Sequence, residues 1–295
     1  MPITEKQKEM RINHLGGSDM AAILGVDPYR NAYDVYLEKT EQLKEGKVSD
    51  AAEAGNYLED GVLNFAEARL GKLVRNQYRS AKERGIDCPI GVNCDAIIVE
   101  PNNGDAKKGE PVEAKTSQLY YYRGGEWGKE GTDEVPDRTI LQCHAQMLCT
   151  GTETCHVPAL VGGKGLVMYH VNIDEELKEL LIVNSNDFWN NHVLKNIPPE
   201  DLVPSLPVIK RIKREPDTII EIPQDIVSNW ILSKEQLKAA EKNKKSAESL
   251  LLAALGTAEA GRCREGTVTY LETHRKGYEV KPSTYRTLRY KKEKK

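Results

Sequence analysis

The stretch of sequence that decides the fold reads Gly91-Val-Asn-Cys-Asp95, then Ala-Ile-Ile-Val-Glu100, a turn, and Pro111-Val-Glu113-Ala-Lys115. The two apolar runs predict adjoining β-strands. Residues two apart in a strand share a face, so Glu113 and Lys115 are expected to point the same way. A turn between the two strands can bring Asp95 beside Glu113. The pattern therefore predicts two carboxylates and a lysine at one place on a sheet.

This residue set suits metal-assisted hydrolysis of a phosphodiester. The carboxylates of Asp95 and Glu113, with the Ala114 carbonyl nearby, offer the oxygen ligands that Mg²⁺ prefers. Lys115 would orient or deprotonate the attacking water and offset developing negative charge. The spacing alone also fits an exposed strand pair with ordinary surface charges. Because both acids border apolar runs, where a charge needs a partner, the site interpretation is favoured.

Hydrophobic periodicity places the remaining elements around these strands. Strands are predicted at 73–78, 90–100 and 111–116 as consecutive antiparallel neighbours, with a hairpin around 162–165 and a short strand at 266–273. Helices are predicted at 19–24, 32–40, 50–71, 137–149, 174–195 and 224–255. Ser18 is expected to cap the first helix. In the helix at 50–71, the expected apolar stripe is Leu58, Val62, Phe65 and Leu70.

The composition indicates a folded, water-soluble chain. Of 295 residues, 39 % are hydrophobic and 29 % are charged, which excludes a disordered protein. No run approaches the roughly 18 apolar residues of a transmembrane helix. The first residues, MPITEKQKEMR, contain no apolar signal segment. We therefore expect a cytoplasmic protein without a membrane partner.

The charge is unevenly distributed along the chain. Residues 1–207 hold 22 Lys and Arg against 33 Asp and Glu, whereas residues 208–295 hold 20 against 12. The proline-rich passage 198–207 predicts a boundary between a main domain at 1–207 and an extension at 208–295, which carries the long helix and a basic tail. The tail could bind DNA, a partner protein or another subunit, and the charged helix could simply be solvated. Lys244 interrupts the heptad-like seam of this helix, which argues against a sustained coiled coil.

Three cysteines recur every six residues, at Cys143, Cys149 and Cys155, with His144 and His156 beside two of them. This spacing admits a metal site. However, structural zinc sites generally use a C-x2-C pair, which the sequence lacks. Small buried thiols on a helix and the following strand are the favoured interpretation.

Four short blocks, in this order, resemble the YqaJ-type viral recombinases, the phage exonuclease family that includes lambda exonuclease, within the PD-(D/E)XK nuclease superfamily. They span about residues 11–195 and are Arg11-Ile-Asn-His-Leu-Gly-Gly-Ser-Asp19, Gly55-Asn-Tyr-Leu-Glu59, Gly91-Val-Asn-Cys-Asp95 with Glu113-Ala-Lys115, and Gln142-x3-Gln146-Met-Leu-Cys-Thr-Gly151.

The resemblance implies a fold and an activity. The expected fold is α/β (α+β), a restriction-endonuclease-like PD-(D/E)XK core with a mixed central sheet flanked by helices and a helical C-terminal extension. The implied activity is that of a Mg²⁺-dependent 5′→3′ exonuclease of double-stranded DNA ends, with Mn²⁺ as a substitute. It would leave 3′ overhangs for a single-strand annealing protein in phage recombination and DNA repair, in the cytoplasm of a bacterial host. The resemblance also implies a homo-oligomer, with a ring-shaped trimer as one form that family members take.

The resemblance also assigns residues at the reaction centre. Asp95 and Glu113 correspond to the metal-binding carboxylates, with the Ala114 carbonyl as a further ligand, and Lys115 corresponds to the catalytic lysine. Glu59 corresponds to a helix glutamate that supports the metal site through water.

Three further residues receive roles from the same resemblance. Gln142 corresponds to the glutamine that positions the lysine or the nucleophile. Arg11 and Ser18 correspond to the pair that holds the 5′-terminal phosphate of DNA. Two positions depart from the family pattern: Ala96 stands where glycine is frequent, and Thr139 stands where a tyrosine often lies three residues before the glutamine.

Other interpretations of the chain stay open. It could be a nuclease fold that binds DNA without cutting it, or an iron–sulfur nuclease that uses Cys143, Cys149 and Cys155. The segment Tyr120-Tyr-Tyr122 with Arg123 could stack on unpaired bases or pack on the sheet. The glycines at 162–165 fit a hairpin turn, since the phosphate-loop pattern is missing.

Overall fold

The computed structural model describes residues 10–272 except residues 45, 47, 48, 103, 120, 121, 123, 124, 163, 201, 214, 217 and 265. The chain divides into two compact units, Met1–Glu215 and Pro216–Lys295. Most of the predicted basic tail lies outside the described residues, as do Tyr120, Tyr121 and Arg123. No described helix is long and apolar enough to cross a membrane.

The first unit is built on a mixed sheet of six strands, in the order β1-β2-β3-β5-β4 with β6 paired to β5. The strands are β1 (Gly71–Ser80), β2 (Gly91–Pro101), β3 (Pro111–Val112), β4 (Lys115–Ser117), β5 (Thr154–Val161) and β6 (Gly165–Asn172). The pairs β1–β2, β2–β3 and β5–β6 are antiparallel, and both β3 and β4 run parallel to β5. The expected antiparallel neighbours and the hairpin of β5 and β6 are therefore confirmed.

Helices flank this sheet. They are α1 (Gly17–Ile23), α2 (Ala32–Lys39), α3 (Asp50–Leu70), α4 (Asp137–Thr150), α5 (Glu175–Phe188) and α6 (Leu206–Ile209), with a 3-10 turn at Lys82–Arg84 and a π-helical turn at Trp189–Val193. One apolar cluster joins α1, α2, α4 and α5 to β2, and a second joins α3 to β1, β2 and β3. Val208 of α6 is buried in the first cluster, and Ile212 forms an isolated bridge with Leu43. The packed part of the first unit therefore extends beyond residue 207.

The predicted strand at 111–116 is divided in two by the structure. Val112 pairs with β2 on one side and with His156 of β5 on the other. Pairing then passes to β4, where Lys115 lies opposite Ala159 of β5. Glu113 and Ala114 occupy the break between the two short strands. A break of this kind frees main-chain groups that a continuous ladder would otherwise use.

Helix α3 follows its predicted bounds but buries a different stripe. Its N-cap is Ser49, whose hydroxyl accepts a hydrogen bond from the Ala52 amide at 3.2 Å, and Gly71 with φ 105° ends it. The buried positions are Val62, Leu63, Ala66 and Leu70, whereas Leu58 and Phe65 are 45 % and 58 % exposed. The expected stripe is confirmed at Val62 and Leu70 and was wrong at Leu58 and Phe65, where the smaller Ala66 lies against the sheet instead of Phe65.

Helix α1 begins two residues earlier than expected. Its N-cap is Gly16, and the Gly16 amide donates to Asp19 Oδ2 at 2.9 Å. Ser18 is therefore inside the first turn, and its expected role as a cap is wrong. A side-chain Cβ at Gly17 would lie 3.1 Å from Gln142 Cα. The absence of that side chain lets α1 approach α4 closely, which brings the turn before α1 next to the predicted catalytic residues.

The second unit contains α7 (Gln224–Leu255), which matches its predicted bounds, and a hairpin of β7 (Ala260–Cys263) and β8 (Gly266–Thr269). No described residue of α7 is buried. Trp230, Ile231 and Val227 are half-buried near its start. This helix is polar over most of its surface, in keeping with its content of Lys and Glu.

Candidate active site

The structure brings Asp95 to the break between β3 and β4. Asp95 lies on β2, and its Oδ2 accepts a hydrogen bond from the Ala114 amide at 2.8 Å. The Glu113 amide donates to the His156 carbonyl of β5 at 2.9 Å. Two strands therefore hold this short segment from opposite sides, and the predicted proximity of Asp95 and Glu113 is confirmed.

Lys115 links the second carboxylate to helix α4. Its Nζ lies 2.6 Å from Glu113 Oε1 and donates to Gln142 Oε1 at 2.7 Å. The side chains of Glu113 and Lys115 thus share a face, as their spacing predicts. Gln142 holds the lysine directly, which is the contact that its expected role in positioning Lys115 requires.

Gln146 was not assigned a role from the sequence, yet it binds the second carboxylate oxygen of Glu113. Its Nε2 donates to Glu113 Oε2, and Cys155 Sγ donates to Gln146 Oε1 at 3.6 Å. Gln146 is 3 % exposed. Residues four apart on a helix lie on one face, so the spacing of Gln142 and Gln146 was the signal that could have identified it.

Glu59 approaches the same site from α3. It is half-buried, and burial, followed by the nearby Asp60 and Glu113 carboxylates, raises its pKa above the usual value. It forms no hydrogen bond to Asp95 or Glu113. Glu59 thus interacts electrostatically with the two acids without a direct hydrogen bond to them, an arrangement compatible with its expected action through water.

Negative charge accumulates around the two central acids. Burial, and then the Glu113 carboxylate, raise the pKa of Asp95 well above its usual range. Burial would lower the pKa of Lys115, but the Glu113 carboxylate outweighs it and raises that pKa above its usual value. Lys115 supplies one positive charge to three nearby carboxylates, so a bound cation would relieve the remaining repulsion.

The donor set fits a hard divalent cation. Carboxylate oxygens of Asp95 and Glu113 and the Ala114 carbonyl are the ligand type that Mg²⁺ takes, usually together with several waters. In the part of the chain that the structure describes, no group of three or more His, Cys, Asp or Glu side chains is arranged to hold a metal ion. The site therefore offers two carboxylates and one carbonyl, and the ligand roles of these groups stay predictions.

The residues expected to hold a terminal phosphate line the same cavity as the acids. This cavity has a volume of about 210 Å³, and its walls include Arg11, Ser18, Asp95, Glu113 and Gln142. Arg11 is exposed, and its guanidinium forms no ion pair with any described residue.

A set of paired charges, buried at Asp19 and Lys39, also lines this cavity and was missed in the sequence. Asp19 is paired with Lys39 Nζ at 2.7 Å and with Arg30 at 3.1 Å, and Arg30 also reaches Glu38 at 2.9 Å. Burial opposes ionisation of Asp19, but Lys39 and Arg30 outweigh it and lower its pKa to about 2. Nothing in the local pattern signals this cluster, because helix α2 supplies Lys39 from 20 residues further along the chain.

Among the described residues, the three regularly spaced cysteines form no metal-binding group. Cys143, Cys149 and Cys155 are free and buried. Burial raises the pKa of Cys149 and Cys155 above that of an ordinary thiol, which keeps them protonated at neutral pH. Buried thiols, the favoured interpretation, are what the structure shows, and the described residues offer no cluster for iron and sulfur.

One residue of the aromatic segment is described. Tyr122 accepts a hydrogen bond from Lys164, whose Nζ also lies 4.0 Å from the centre of the Tyr122 ring. Tyr122 thus contacts the hairpin of β5 and β6, which corresponds to packing on the sheet. Tyr120, Tyr121 and Arg123 lie outside the described residues.

The mixed sheet flanked by helices, with an Asp, a Glu and a Lys at its central break, is the PD-(D/E)XK nuclease fold, which confirms the expected fold class. The model of the YqaJ-like viral recombinase domain matches residues 6–153. The chain belongs to this family.

A protein of similar sequence and two solved structures also resemble this chain. The uncharacterised protein YqaJ of Bacillus subtilis (strain 168) is 28 % identical over 260 residues, which cover 84 % of this chain and 76 % of that protein. Among solved structures, the alkaline exonuclease LHK-Exo of Laribacter hongkongensis gives a TM-score of 0.51 at 14 % identity, over 66 % of this chain and 94 % of that one. The structure of LHK-Exo in complex with dAMP gives the same TM-score at 15 % identity. These two likenesses show a shared fold.

Proposed function

We propose that this protein is a Mg²⁺-dependent exonuclease that degrades double-stranded DNA from its ends in the 5′→3′ direction and leaves 3′ overhangs. The contact set of Asp95, Glu113 and Lys115, opening into the cavity that Arg11 lines, carries this proposal. Membership of the viral recombinase family and the alkaline-exonuclease name of the solved structure with this fold support it.

Asp95, Glu113 and the Ala114 carbonyl would hold Mg²⁺, and Mn²⁺ would substitute, since both accept oxygen ligands. When bound, the metal supplies Lewis-acid stabilisation of the phosphate and a more acidic water. The protein's part is to keep these oxygens in place. The Ala114 amide fixes Asp95 Oδ2, while Lys115 and Gln146 fix the two oxygens of Glu113. Glu59 would assist through water.

The contacts of Lys115 determine its protonation state. The Glu113 carboxylate raises its pKa, so the ammonium keeps its proton at neutral pH. A protonated lysine donates hydrogen bonds and stabilises negative charge that develops on the phosphate. Gln142 holds Nζ at 2.7 Å and so limits where that charge can lie. We therefore assign Lys115 to orientation of the attacking water and to charge stabilisation.

The direction of digestion would follow from the other wall of the cavity. Arg11 and Ser18 would hold the 5′-terminal phosphate while the acids act on the next phosphodiester. The Arg11 guanidinium, which has no carboxylate partner among the described residues, suits this task, because a guanidinium can bind phosphate through two parallel hydrogen bonds. A 5′ end of the duplex would then be the end that fits into the cavity.

The cellular setting is proposed on the family alone. The overhangs would serve a single-strand annealing protein during phage recombination and DNA repair in the cytoplasm of a bacterial host. A homo-oligomer, as a ring-shaped trimer around DNA, would keep the enzyme on its substrate. Gel filtration with light scattering measures the oligomer, and co-purification with the annealing protein measures the partnership.

The activity is tested on a linear duplex with 5′-phosphate ends and a fluorophore on one 3′ end. With Mg²⁺, we expect the labelled strand to shorten progressively while its label is retained; with EDTA, no product forms. Lys115→Ala should lower the rate at least about a hundredfold. Lys72→Ala, on an exposed lysine paired with Glu100 at 3.0 Å, serves as the matched control with unchanged rate.

Two results would contradict the proposal. DNA binding without metal-dependent digestion would indicate a nuclease fold that has become a binding scaffold. Release of the 3′ label as the first product would reverse the polarity.

A further inference from the structure

Among the described residues that line the cavity, the cations Lys39 and Arg30 are paired with carboxylates and Arg11 is not. Lys39 and Arg30 together face Asp19 and Glu38, so these four charges balance. Arg11 has no described carboxylate partner. The excess positive charge on this wall therefore belongs to Arg11, and the paired set must serve another purpose.

Lys39 is the central member of the paired set. Its side chain is 2 % exposed, and its Nζ lies 2.7 Å from Asp19 Oδ2. The same Nζ donates to the Arg11 carbonyl at 2.6 Å. The Lys39 ammonium, at the end of α2, thus connects two parts of the chain. One is the main chain of Arg11, and the other is the first turn of α1, which carries Ser18.

Asp19 makes this connection necessary. Its Oδ2 accepts from the Gly16 amide at 2.9 Å, so the carboxylate stabilises the start of α1 and cannot move away. A phosphate monoester carries about two negative charges at neutral pH and would be repelled by a bare carboxylate on the same wall. Lys39 and Arg30 cancel that repulsion, and Lys39 does so from a buried position where screening by salt is weak.

We propose that Lys39 is a positioning residue for end recognition: it neutralises Asp19 and holds the Arg11 main chain, so that the cavity accepts a 5′-terminal phosphate. The inference rests on the proposed recognition of the 5′ phosphate and adds a residue that would not touch DNA. Lys39 contributes to the choice of substrate end, whereas Lys115 and the two acids contribute to cleavage.

The test compares initial rates on duplexes that differ only in a 5′-phosphate or a 5′-hydroxyl end, with the full chain and saturating Mg²⁺. In Lys39→Met, Asp19 keeps only Arg30, which it shares with Glu38, so this wall carries one uncompensated negative charge. We expect the phosphate-to-hydroxyl rate ratio to fall about tenfold or more, mainly through a higher KM for phosphorylated ends. A general loss of stability would lower both rates together and leave the ratio unchanged. Lys72→Met, which removes an exposed lysine, is the matched control.

A second variant separates charge from folding. In Asp19→Asn with Lys39→Met, the pair is removed as a unit, so no buried charge is left alone, and the ratio should recover at least part of its wild-type value. This double variant should also fold if the single variant does not. Inorganic phosphate, as a competitor, should inhibit the wild type and the double variant more strongly than Lys39→Met.

The outcomes separate this inference from the function on which it rests. A wild-type ratio in Lys39→Met overturns the role of Lys39 and leaves the exonuclease intact. A double variant no better than the single one overturns neutralisation of Asp19. Equal wild-type rates on both kinds of end overturn end recognition by Arg11 and the role of Lys39 together, while metal-dependent digestion would still stand.

Discussion

Lys115 Nζ lies between Glu113 Oε1 at 2.6 Å and Gln142 Oε1 at 2.7 Å, so one ammonium joins the sheet to helix α4 at the reaction centre. Two acceptors fix the direction of a flexible side chain, and the third N–H of the ammonium is left for a substrate or water. Removal of either acceptor should therefore affect the chemical step rather than DNA binding.

Gln142→Ala tests this arrangement. Lys115 keeps Glu113 but loses its second acceptor, so we expect kcat to fall about tenfold with little change in KM for DNA ends. Steady-state digestion of a linear duplex measures both constants. Gln236→Ala, on the exposed surface of α7, is the control. A change in KM alone would show that Gln142 binds DNA instead.

Gln146→Leu tests the other oxygen of Glu113. Without the Nε2 donor, Oε2 loses its fixed direction, and the Mg²⁺ concentration that gives half-maximal rate should rise about tenfold, as for other groups that orient metal ligands. The rate at saturating Mg²⁺ should recover more fully than in Gln142→Ala. A Mg²⁺ titration of both variants measures this contrast. An unchanged half-saturation point would leave Gln146 as a core residue only.

Metal binding should be visible in thermal unfolding without any DNA. At a Mg²⁺ concentration a hundredfold above its Kd, the native state should gain about 2.7 kcal/mol. Asp95→Asn should abolish this gain. It should also stabilise the metal-free protein, because the raised pKa of Asp95 means that its ionised form is unfavourable in the folded state. A Mg²⁺-dependent shift that persists in Asp95→Asn would place the metal elsewhere.

Gly17→Ala tests the approach of α1 to α4. The new Cβ would lie 3.1 Å from Gln142 Cα, so the helices must separate, and we expect a loss of about 1–3 kcal/mol in the free energy of unfolding. Gly61→Ala on α3 is the matched control, because an added Cβ there meets nothing within 4 Å. At that exposed helical site alanine should stabilise by about 0.4–1 kcal/mol. Equal effects of both changes would contradict the close packing.

Asp19 should make the protein sensitive to acid. Its pKa falls from 3.8 to about 2 on folding, so its ion pairs contribute stability that is fully present above pH 4 and is lost as the pH falls toward 2. Asp19→Asn should flatten this part of the stability curve while lowering stability at neutral pH. Denaturant melts between pH 2 and pH 7 measure both effects. A wild-type slope in the variant would show that other groups carry the acid sensitivity.

Some features followed from local sequence. The bounds of α7 were predicted residue for residue, since a long run of helix formers ends at Gly256. The shared face of Glu113 and Lys115 followed from the period of two in a strand. The position of Asp95 beside them needed only a short turn between antiparallel neighbours. Each of these depends on residues close together in the chain.

Other features needed the assembled sheet. The parallel pairing of β3 and β4 with β5, which opens the break at Glu113 and Ala114, joins segments about 40 residues apart. The buried stripe of α3 depended on which side chains fitted the sheet, so Ala66 was inside and Phe65 outside. Hydrophobicity alone does not measure fit, because packing in a core depends on shape.

The sequence by itself determined most of the helices and strands and the Asp95, Glu113 and Lys115 set, since strand period and turn length act over a few residues. Only the tertiary structure decided that Gln146 supports Glu113 and that Lys39 pairs with Asp19 beneath Arg11. The physical reason is that a buried charge or amide takes whichever partner the fold brings within about 3 Å, and that distance is set by how separate elements of the chain pack together.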